Sequence, residues 1–247
     1  VTAVVASFAK LGKHLESFYD LMAAVEKLGH LLDLPLERRT GQQLADRSGP
    51  AAIMLDRVSF QYEGMQPIIE DFTLVVRPGE RIGISGPNGS GKSTLAELLF
   101  GLRQPTGGRL SLDGVDYREL SLSALRYSVA SVQGAEMFEG TVLENVRLGR
   151  DEISLEEVRA SLDSVGLLDE ILSMPDGIET RLITGGAPLS SGQARRLQVA
   201  RAIAGKPRVL IIDESLDDLA IDRREQVVAK LADRSAPWTL IVLSHDA

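Results

Sequence analysis

The first part of the chain carries apolar residues at helical spacing. From Leu11 to Leu32 they recur every three or four positions, which predicts an amphipathic helix over about residues 1–34. Its most apolar stretch, residues 1–9, is far shorter than the roughly 20 residues that a membrane-spanning helix needs. Two interpretations stay open here: a helix that packs on its own domain, or the cytoplasmic end of a transmembrane helix. Residues 35–50 are polar and predict a linker.

From residue 51 onward the pattern changes to short apolar runs separated by turn residues, which is typical of β-strands. Two later runs, Arg208–Ile212 and Thr239–Leu243, are almost continuously apolar, as in parallel strands with both faces buried. Segments with helical periodicity alternate with the strands, so an α/β fold is expected. The other predicted strands are Ile53–Tyr62, Phe72–Val76, Arg81–Ser85, Leu110–Leu112 and Val129–Val132, and the later predicted helices are Lys92–Phe100, Ser154–Val165, Ser191–Ala204 and Arg223–Ala232.

Composition and charge exclude several classes of function. The chain has 27 Lys and Arg against 35 Asp and Glu, a net charge of −8, which argues against nucleic acid as a partner. It has no cysteine and only three histidines, which excludes disulfides and thiolate metal sites and makes a zinc site implausible. It starts without Met and without the residue order of a signal peptide, so it is expected to begin inside a longer protein.

The strongest chemical motif is G-x-x-x-x-G-K-[ST], placed between a predicted strand and a predicted helix as a P-loop requires. Its glycines let the backbone curl, so that N–H groups and the helix N-terminus face a phosphate. Lys92 is expected to hold the β- and γ-phosphates and the Ser93 hydroxyl to bind Mg²⁺, so ATP and Mg²⁺ are the expected cofactors. The predicted phosphate-binding residues are Gly86, Pro87, Asn88, Gly89, Ser90, Gly91, Lys92, Ser93 and Thr94.

Two acidic residues follow the predicted strand that ends at Ile212. Asp213 and Glu214 are therefore expected at the carboxyl end of that strand, where open α/β sheets bind ligands. Two acidic residues after a strand are by themselves weak evidence of a catalytic site. Their position downstream of a P-loop strengthens that evidence. We expect Asp213 to hold Mg²⁺ through water, and Glu214 to act as the general base or to position the attacking water.

A small-residue turn before an arginine-rich helix completes the set of motifs. Leu189-Ser190-Ser191-Gly192-Gln193 suits a phosphate at a helix N-terminus. In this order of motifs it resembles the L-S-G-G-Q signature of ATP-binding cassette (ABC) proteins. The resemblance covers residues 51–247. It implies a P-loop NTPase core with a mainly parallel sheet, an antiparallel β subdomain and a helical subdomain at about residues 134–200, after the N-terminal helix.

The resemblance also implies roles for single residues and for partners. Tyr62 matches the aromatic residue that stacks on adenine, Gln133 the glutamine that contacts Mg²⁺ and the attacking water, and His245 the histidine that contacts the γ-phosphate. Because the family holds ATP between the P-loop of one chain and the signature of another, a second nucleotide-binding domain is implied, as a homodimer or a heterodimer. Residues 133–145 resemble the corresponding segment of ABC exporters. This resemblance implies a transmembrane domain as a partner and places the chain at the cytoplasmic face of a membrane, expected to be a bacterial inner membrane.

Three positions depart from the family pattern. Ser191 replaces the first signature glycine, Ala220 replaces an aspartate that links the two sites of a dimer, and Thr184 replaces a glutamate of exporters. The expected function is ATP binding and hydrolysis that powers export. Two alternatives stay open: a soluble ABC ATPase without a transport role, and a regulatory ATP-binding subunit with weak turnover.

Overall fold

A computed structural model describes residues 2–33, 37–38, 40–44, 48–134, 136–213, 216 and 219–245, with side chains for all of these except residues 2–9 and 11. The chain divides into two compact units, residues 1–38 and 39–247. The first unit is helix α1, Thr2–Leu32, which has 31 residues. Within the described ranges, every helix falls short of the length or the apolar character that crossing a membrane requires.

The second unit contains an antiparallel sheet built on hairpin pairing. Its strands lie in the order β2-β1-β4-β5. Residues 113 and 114 form the turn between the last two strands, and both have positive φ (51° and 84°), as a tight two-residue hairpin turn requires. β2 begins three residues before the predicted Phe72, because pairing with β1 continues to Ile69. The strands are β1 (Ile53–Phe60), β2 (Ile69–Val76), β4 (Gly107–Leu112) and β5 (Val115–Asp116).

A parallel sheet forms the centre of the second unit. Its strands lie in the order β3-β10-β9-β6, and all neighbouring pairs are parallel. Every residue of β9 is buried, which agrees with the apolar run in the sequence. The predicted α/β fold class, with one parallel and one antiparallel sheet, is confirmed. The strands are β3 (Arg81–Ser85), β6 (Val129–Gln133), β9 (Val209–Asp213) and β10 (Thr239–Ser244).

Helices flank the parallel sheet, and several start at a serine or threonine cap. Thr141, Ser154 and Ser190 each begin a helix with a capping box, in which the cap side chain and a Glu or Gln three residues later satisfy backbone N–H groups. The helices are α2 (Lys92–Phe100), α3 (Leu122–Ser128), α4 (Val142–Arg147), α5 (Leu155–Ser164), α6 (Leu168–Leu172), α7 (Ser191–Ala204) and α8 (Ile221–Leu231), and a two-stranded sheet joins β7 (Gly140–Thr141) to β8 (Arg181–Leu182).

The parallel sheet separates two apolar cores. Alternate side chains of a strand point to opposite faces, and β9 supplies Leu210 and Ile212 to one core and Val209 and Ile211 to the other. Side chains of α4, α5 and α7 fill the first core, whereas α2 and the antiparallel sheet fill the second. The two faces of the sheet therefore contribute to different cores.

Candidate functional site

The carboxyl ends of the parallel strands bring several of the predicted site residues to one edge of the sheet. Asp213 on β9 pairs in register with Gln133 on β6 and with Leu243 on β10. Ser244 on β10 pairs with Ser85, the last residue before the P-loop. Because neighbouring strands lie about 4.8 Å apart, the P-loop, Asp213 and Gln133 meet at one edge of the sheet.

His245 lies at the same edge. It follows the last residue of β10, and its side chain is exposed. The residue before it, Ser244, pairs with Ser85, and Ser85 directly precedes Gly86, the first residue of the P-loop. Glu214, the predicted general base, follows Asp213 directly and lies outside the described residues, so its role stays a prediction from the sequence.

The P-loop ends in a helix N-terminus that has no side-chain cap. The first backbone N–H groups of a helix have no partner inside it, and at α2 no side chain caps them. Gly91, just before the helix, has φ of 91°, and a Cβ atom there would lie 2.9 Å from Ile68 Cγ2. Glycine is therefore required at this position, and the uncapped N–H groups suit a phosphate.

Lys92 crosses back over the loop that precedes it. Its side chain is buried, and Nζ donates hydrogen bonds to the carbonyl oxygens of Gly86 (2.8 Å) and Pro87 (3.0 Å). This conformation keeps the ammonium group at the phosphate-binding loop. A cavity of about 360 Å³ opens beside it, with P-loop residues on one wall and the apolar side chains of Ile68, Ile69, Phe72, Ile84 and Leu95 among the rest of its lining.

The residues predicted to hold Mg²⁺ supply only oxygen donors. Ser93 contributes a hydroxyl, Asp213 a carboxylate and Gln133 an amide oxygen, and the Gln133 Nε2 atom donates to Ser131 Oγ at 3.1 Å. Within the described part of the chain, no three or more His, Asp or Glu side chains cluster closely enough to hold a metal ion. Mg²⁺ is usually bound by one or two carboxylates together with substrate phosphates and water. The donor set therefore fits Mg²⁺ brought in with a nucleotide.

Tyr62 contacts the end of the P-loop through a network that the sequence did not reveal. Its hydroxyl lies 3.4 Å from Thr94 Oγ1 and donates to Glu97 Oε2 at 3.3 Å. The Arg103 guanidinium lies 5.1 Å from the centre of the Tyr62 ring and donates to the same Glu97 oxygen at 3.1 Å. Glu97 was detectable in principle, since it follows Thr94 by three residues and so shares one face of a helix.

The signature turn lies at the N-terminus of α7, on the other side of the sheet from α2. Ser190 Oγ accepts from Gln193 N at 3.3 Å, and Gln193 Oε1 accepts from Ser190 N at 2.8 Å. Gln193 Nε2 donates to Glu170 Oε2 at 3.0 Å. The sequence predicted that Gln193 contacts nucleotide, and that stays a prediction; the structure adds a capping function that commits its amide oxygen. Ser191 and Gly192 are the first two residues of the helix.

The exporter-like segment is held by a buried asparagine and an arginine. Asn145, 1% exposed, accepts from Arg201 Nη2 at 2.9 Å, and the Arg201 guanidinium also lies 5.1 Å from the Phe138 ring centre. Burial, together with the positive charge of Arg150, lowers the pKa of Arg201 to about 10. Phe138 itself is half exposed. The segment thus has an aromatic ring at the surface, and the polar groups of Asn145 and Arg201 hold it in position.

Comparisons with known proteins agree with these features. Residues 69–217 match the family model described as ABC transporter. The chain is 36% identical to the mycobactin import ATP-binding/permease protein IrtA of Mycolicibacterium thermoresistibile over 245 residues, 95% of this chain and 27% of the relative. It is 36% identical to the ATP-dependent lipid A-core flippase of Ralstonia nicotianae over 230 residues, 91% of this chain and 38% of the relative.

Other similarities extend the comparison. The chain is 32% identical to the beta-(1→2)glucan export ATP-binding/permease protein NdvA of Brucella suis over 225 residues, 90% of this chain and 38% of the relative. A solved bacterial Atm1-family ABC exporter with ATP bound superimposes with a TM-score of 0.81 at 28% identity, over 91% of this chain and 40% of that one. The chain spans less than half the length of each of these relatives.

Proposed function

Because the chain belongs to the ABC transporter family, we propose that it binds and hydrolyses ATP in a head-to-tail dimer and thereby powers export of a substrate across a membrane. One observation carries this proposal. The parallel register brings the P-loop, Gln133, Asp213 and His245 to one edge of the sheet. At this edge, neighbouring strands carry residues that are far apart in sequence and that can bind phosphate or a metal ion.

When ATP binds at the P-loop, its phosphates replace the hydrogen-bond partners of Lys92. The Lys92 ammonium leaves the carbonyl oxygens of Gly86 and Pro87 and donates to phosphate oxygens, while the uncapped N–H groups of α2 point at the same charge. The Tyr62 ring, tethered through its hydroxyl to Glu97, offers an aromatic face to adenine.

Hydrolysis needs a water molecule oriented toward the γ-phosphate and positive groups that offset the negative charge developing on the phosphates. Mg²⁺, when bound, offsets the charge that develops on the phosphates, and Ser93, Gln133 and Asp213 are the residues that would hold it. Glu214 accepts the proton of the attacking water, and His245 donates a hydrogen bond to the γ-phosphate. The proton of the water thus passes to a carboxylate next to the metal ligand Asp213.

A second chain completes each site. The cores place α2 and the signature helix α7 on opposite faces of the parallel sheet, so one chain does not bring its P-loop and its signature turn together. In the proposed dimer the turn from Ser190 to Gln193 of one chain closes over the nucleotide on the P-loop of the other. The partner is another nucleotide-binding domain, of the same or a different sequence.

A transmembrane domain is the second proposed partner. Two of the relatives above are named ATP-binding/permease proteins, and the solved structure is an exporter. In this chain, α1 is proposed as the cytoplasmic continuation of a transmembrane helix, and Phe138 as part of the surface that receives the membrane domain. The chain is then at the cytoplasmic face of a membrane. Export is favoured by the names of the glucan exporter and the solved exporter, although IrtA is named for import.

The catalytic assignment is tested with two variants of the full-length protein. Lys92→Ala is expected to weaken ATP binding roughly a hundredfold, since charge-assisted hydrogen bonds contribute about 1.5–3 kcal/mol each. Glu214→Gln is expected to bind ATP normally and to lose nearly all steady-state turnover. Lys230→Ala, which removes an exposed lysine near the end of α8, is the control and should behave as the unaltered protein. Unchanged turnover in Glu214→Gln would overturn the assignment.

Direction and membrane coupling need a separate measurement. Inside-out membrane vesicles that contain the full-length protein should accumulate substrate only with ATP and Mg²⁺, and Glu214→Gln vesicles should not. Stable ATPase activity with no membrane domain attached would instead support a soluble ATPase. Strong ATP binding without turnover in the assembled dimer would support a regulatory subunit.

A further inference from the structure

A cluster of four side chains ties the signature turn to two other helices. Its centre is Glu170 on α6, which none of the motifs includes. Gln193 and Arg196 reach it from α7, and Arg223 reaches it from α8. We name these four residues the Glu170 cluster.

The bond between Glu170 and Arg196 is the strongest contact in the cluster. Arg196 donates from Nη1 to Oε1 at 3.0 Å and from Nη2 to Oε2 at 2.8 Å, which is a bidentate pair. Arg196 is 5% exposed, and it also donates to the carbonyl oxygens of Gly166 and Gly192. The hydrogen bonds from Arg196 hold the pKa of Glu170 below its usual value. Glu170 is therefore held as a carboxylate in a fixed position.

The remaining contacts of Glu170 go to the two sides of the cluster. On one side, Oε2 accepts from the amide of Gln193, the last residue of the signature turn. On the other side, Oε1 lies 3.5 Å from Nη2 of Arg223, the third residue of α8. The signature turn and the start of α8 are thus joined through one carboxylate.

The side chain of Leu219 lies next to the first turn of α7, in the same apolar core as Ala194. A Cβ atom on Gly192 would lie 3.8 Å from Cδ2 of Leu219, which is itself buried. Leu219 lies two residues before Ile221, the first residue of α8. A movement of the signature turn therefore changes the packing of Leu219, just before α8.

We infer that Glu170 is a positioning residue that, with Arg223, makes the signature turn and the start of α8 move as one body. This inference rests on the proposed function, because the turn serves the ATP site of the partner, while the start of α8 lies beside the chain's own site: Ile221 and Arg224 line one cavity with Ser85 and Ser244. Closure of the turn on the partner's nucleotide then shifts the start of α8 next to the strand that leads into the chain's own P-loop.

Arg223 is the position to change in the test. Arg223→Gln removes the charge at the exposed end of the cluster and leaves the buried pair of Glu170 and Arg196 intact, so the fold should be kept. We expect turnover to fall roughly threefold, the scale of a partly exposed ion pair, with ATP binding measured without Mg²⁺ unchanged. Arg223→Lys keeps the charge and should recover most of the turnover. Lys230→Gln, an exposed charge at the other end of α8, is the matched control.

A second variant checks that the effect passes through the carboxylate. In a double-mutant cycle, Arg223→Gln should lower turnover much less when Glu170→Gln is already present, because the partner charge is then absent. Turnover of Arg223→Gln equal to that of Lys230→Gln, or a loss that Arg223→Lys does not recover, would overturn the inference. An unaltered protein without ATPase activity would instead overturn the proposed function, so the two failures are distinguishable.

Discussion

Replacing Asn145 by alanine removes a buried carboxamide that has four hydrogen bonds. Nδ2 donates to the carbonyl oxygens of Phe138 at 2.8 Å and Thr141 at 3.0 Å, and Oδ1 accepts from Phe138 N at 3.0 Å and Arg201 Nη2 at 2.9 Å. The residue is 1% exposed. These bonds hold the exporter-like segment against α7, so the substitution measures how firmly that segment is fixed.

The expected cost follows from the partners that remain. A neutral buried hydrogen bond contributes about 1 kcal/mol and one to a charged group about 1.5–3 kcal/mol, so the four bonds sum to about 5 kcal/mol. Arg201 keeps its bonds to the carbonyl oxygens of Asn145 (2.8 Å) and Glu136 (3.1 Å). We therefore expect a net loss of about 3 kcal/mol in the free energy of unfolding.

Equilibrium urea denaturation, followed by far-UV circular dichroism, measures this loss. With a slope of about 3 kcal/mol per molar urea, the midpoint should fall by about 1 M. Gln66→Ala removes a carboxamide from an exposed loop position and should shift the midpoint by less than about 0.2 M. If Asn145→Ala and Gln66→Ala gave the same midpoint, the buried bonds would not stabilise this segment and the reasoning would fail.

Three further predictions concern charge, backbone and a buried hydroxyl. The hydrogen bond from Lys206 lowers the pKa of Glu157 from 4.5 to about 2, so the stability that this pair contributes is complete above pH 4.5 and is lost as the pH falls toward 2. Lys206→Met should therefore be less stable than the unaltered protein near neutral pH but equal to it at the acid end. Urea denaturation at both pH values checks this. Gly108→Ala should unfold at a markedly lower temperature in calorimetry, because φ is 77° and the added Cβ would collide with the carbonyl of Arg57. Tyr117→Phe should lose about 1–2 kcal/mol in denaturant titration, because its buried hydroxyl donates to a carbonyl of α2 at 2.9 Å; no loss would contradict that bond.

Long periodic segments were predicted well from the sequence. The bounds of α2 and α7 match the predicted helices, and β3 matches its predicted strand. Shorter elements were not predicted: α4 and α6 have six and five residues, too few to show a helical period. Thr141, the residue before α4, nevertheless forms a capping box with Glu144, and the sequence contains this pattern.

The sequence by itself determined the chemistry: a P-loop with glycine where φ is positive, a carboxylate after a buried strand, and a signature turn before a helix. These are local properties, set by the conformations that neighbouring residues allow. Only the tertiary structure decided which distant residues meet. The strand order β3-β10-β9-β6 places Gln133 beside Asp213, and packing of α6 against α7 and α8 gives Glu170 its partners. Such contacts depend on how strands and helices are ordered and packed in space, and local sequence patterns do not contain that information.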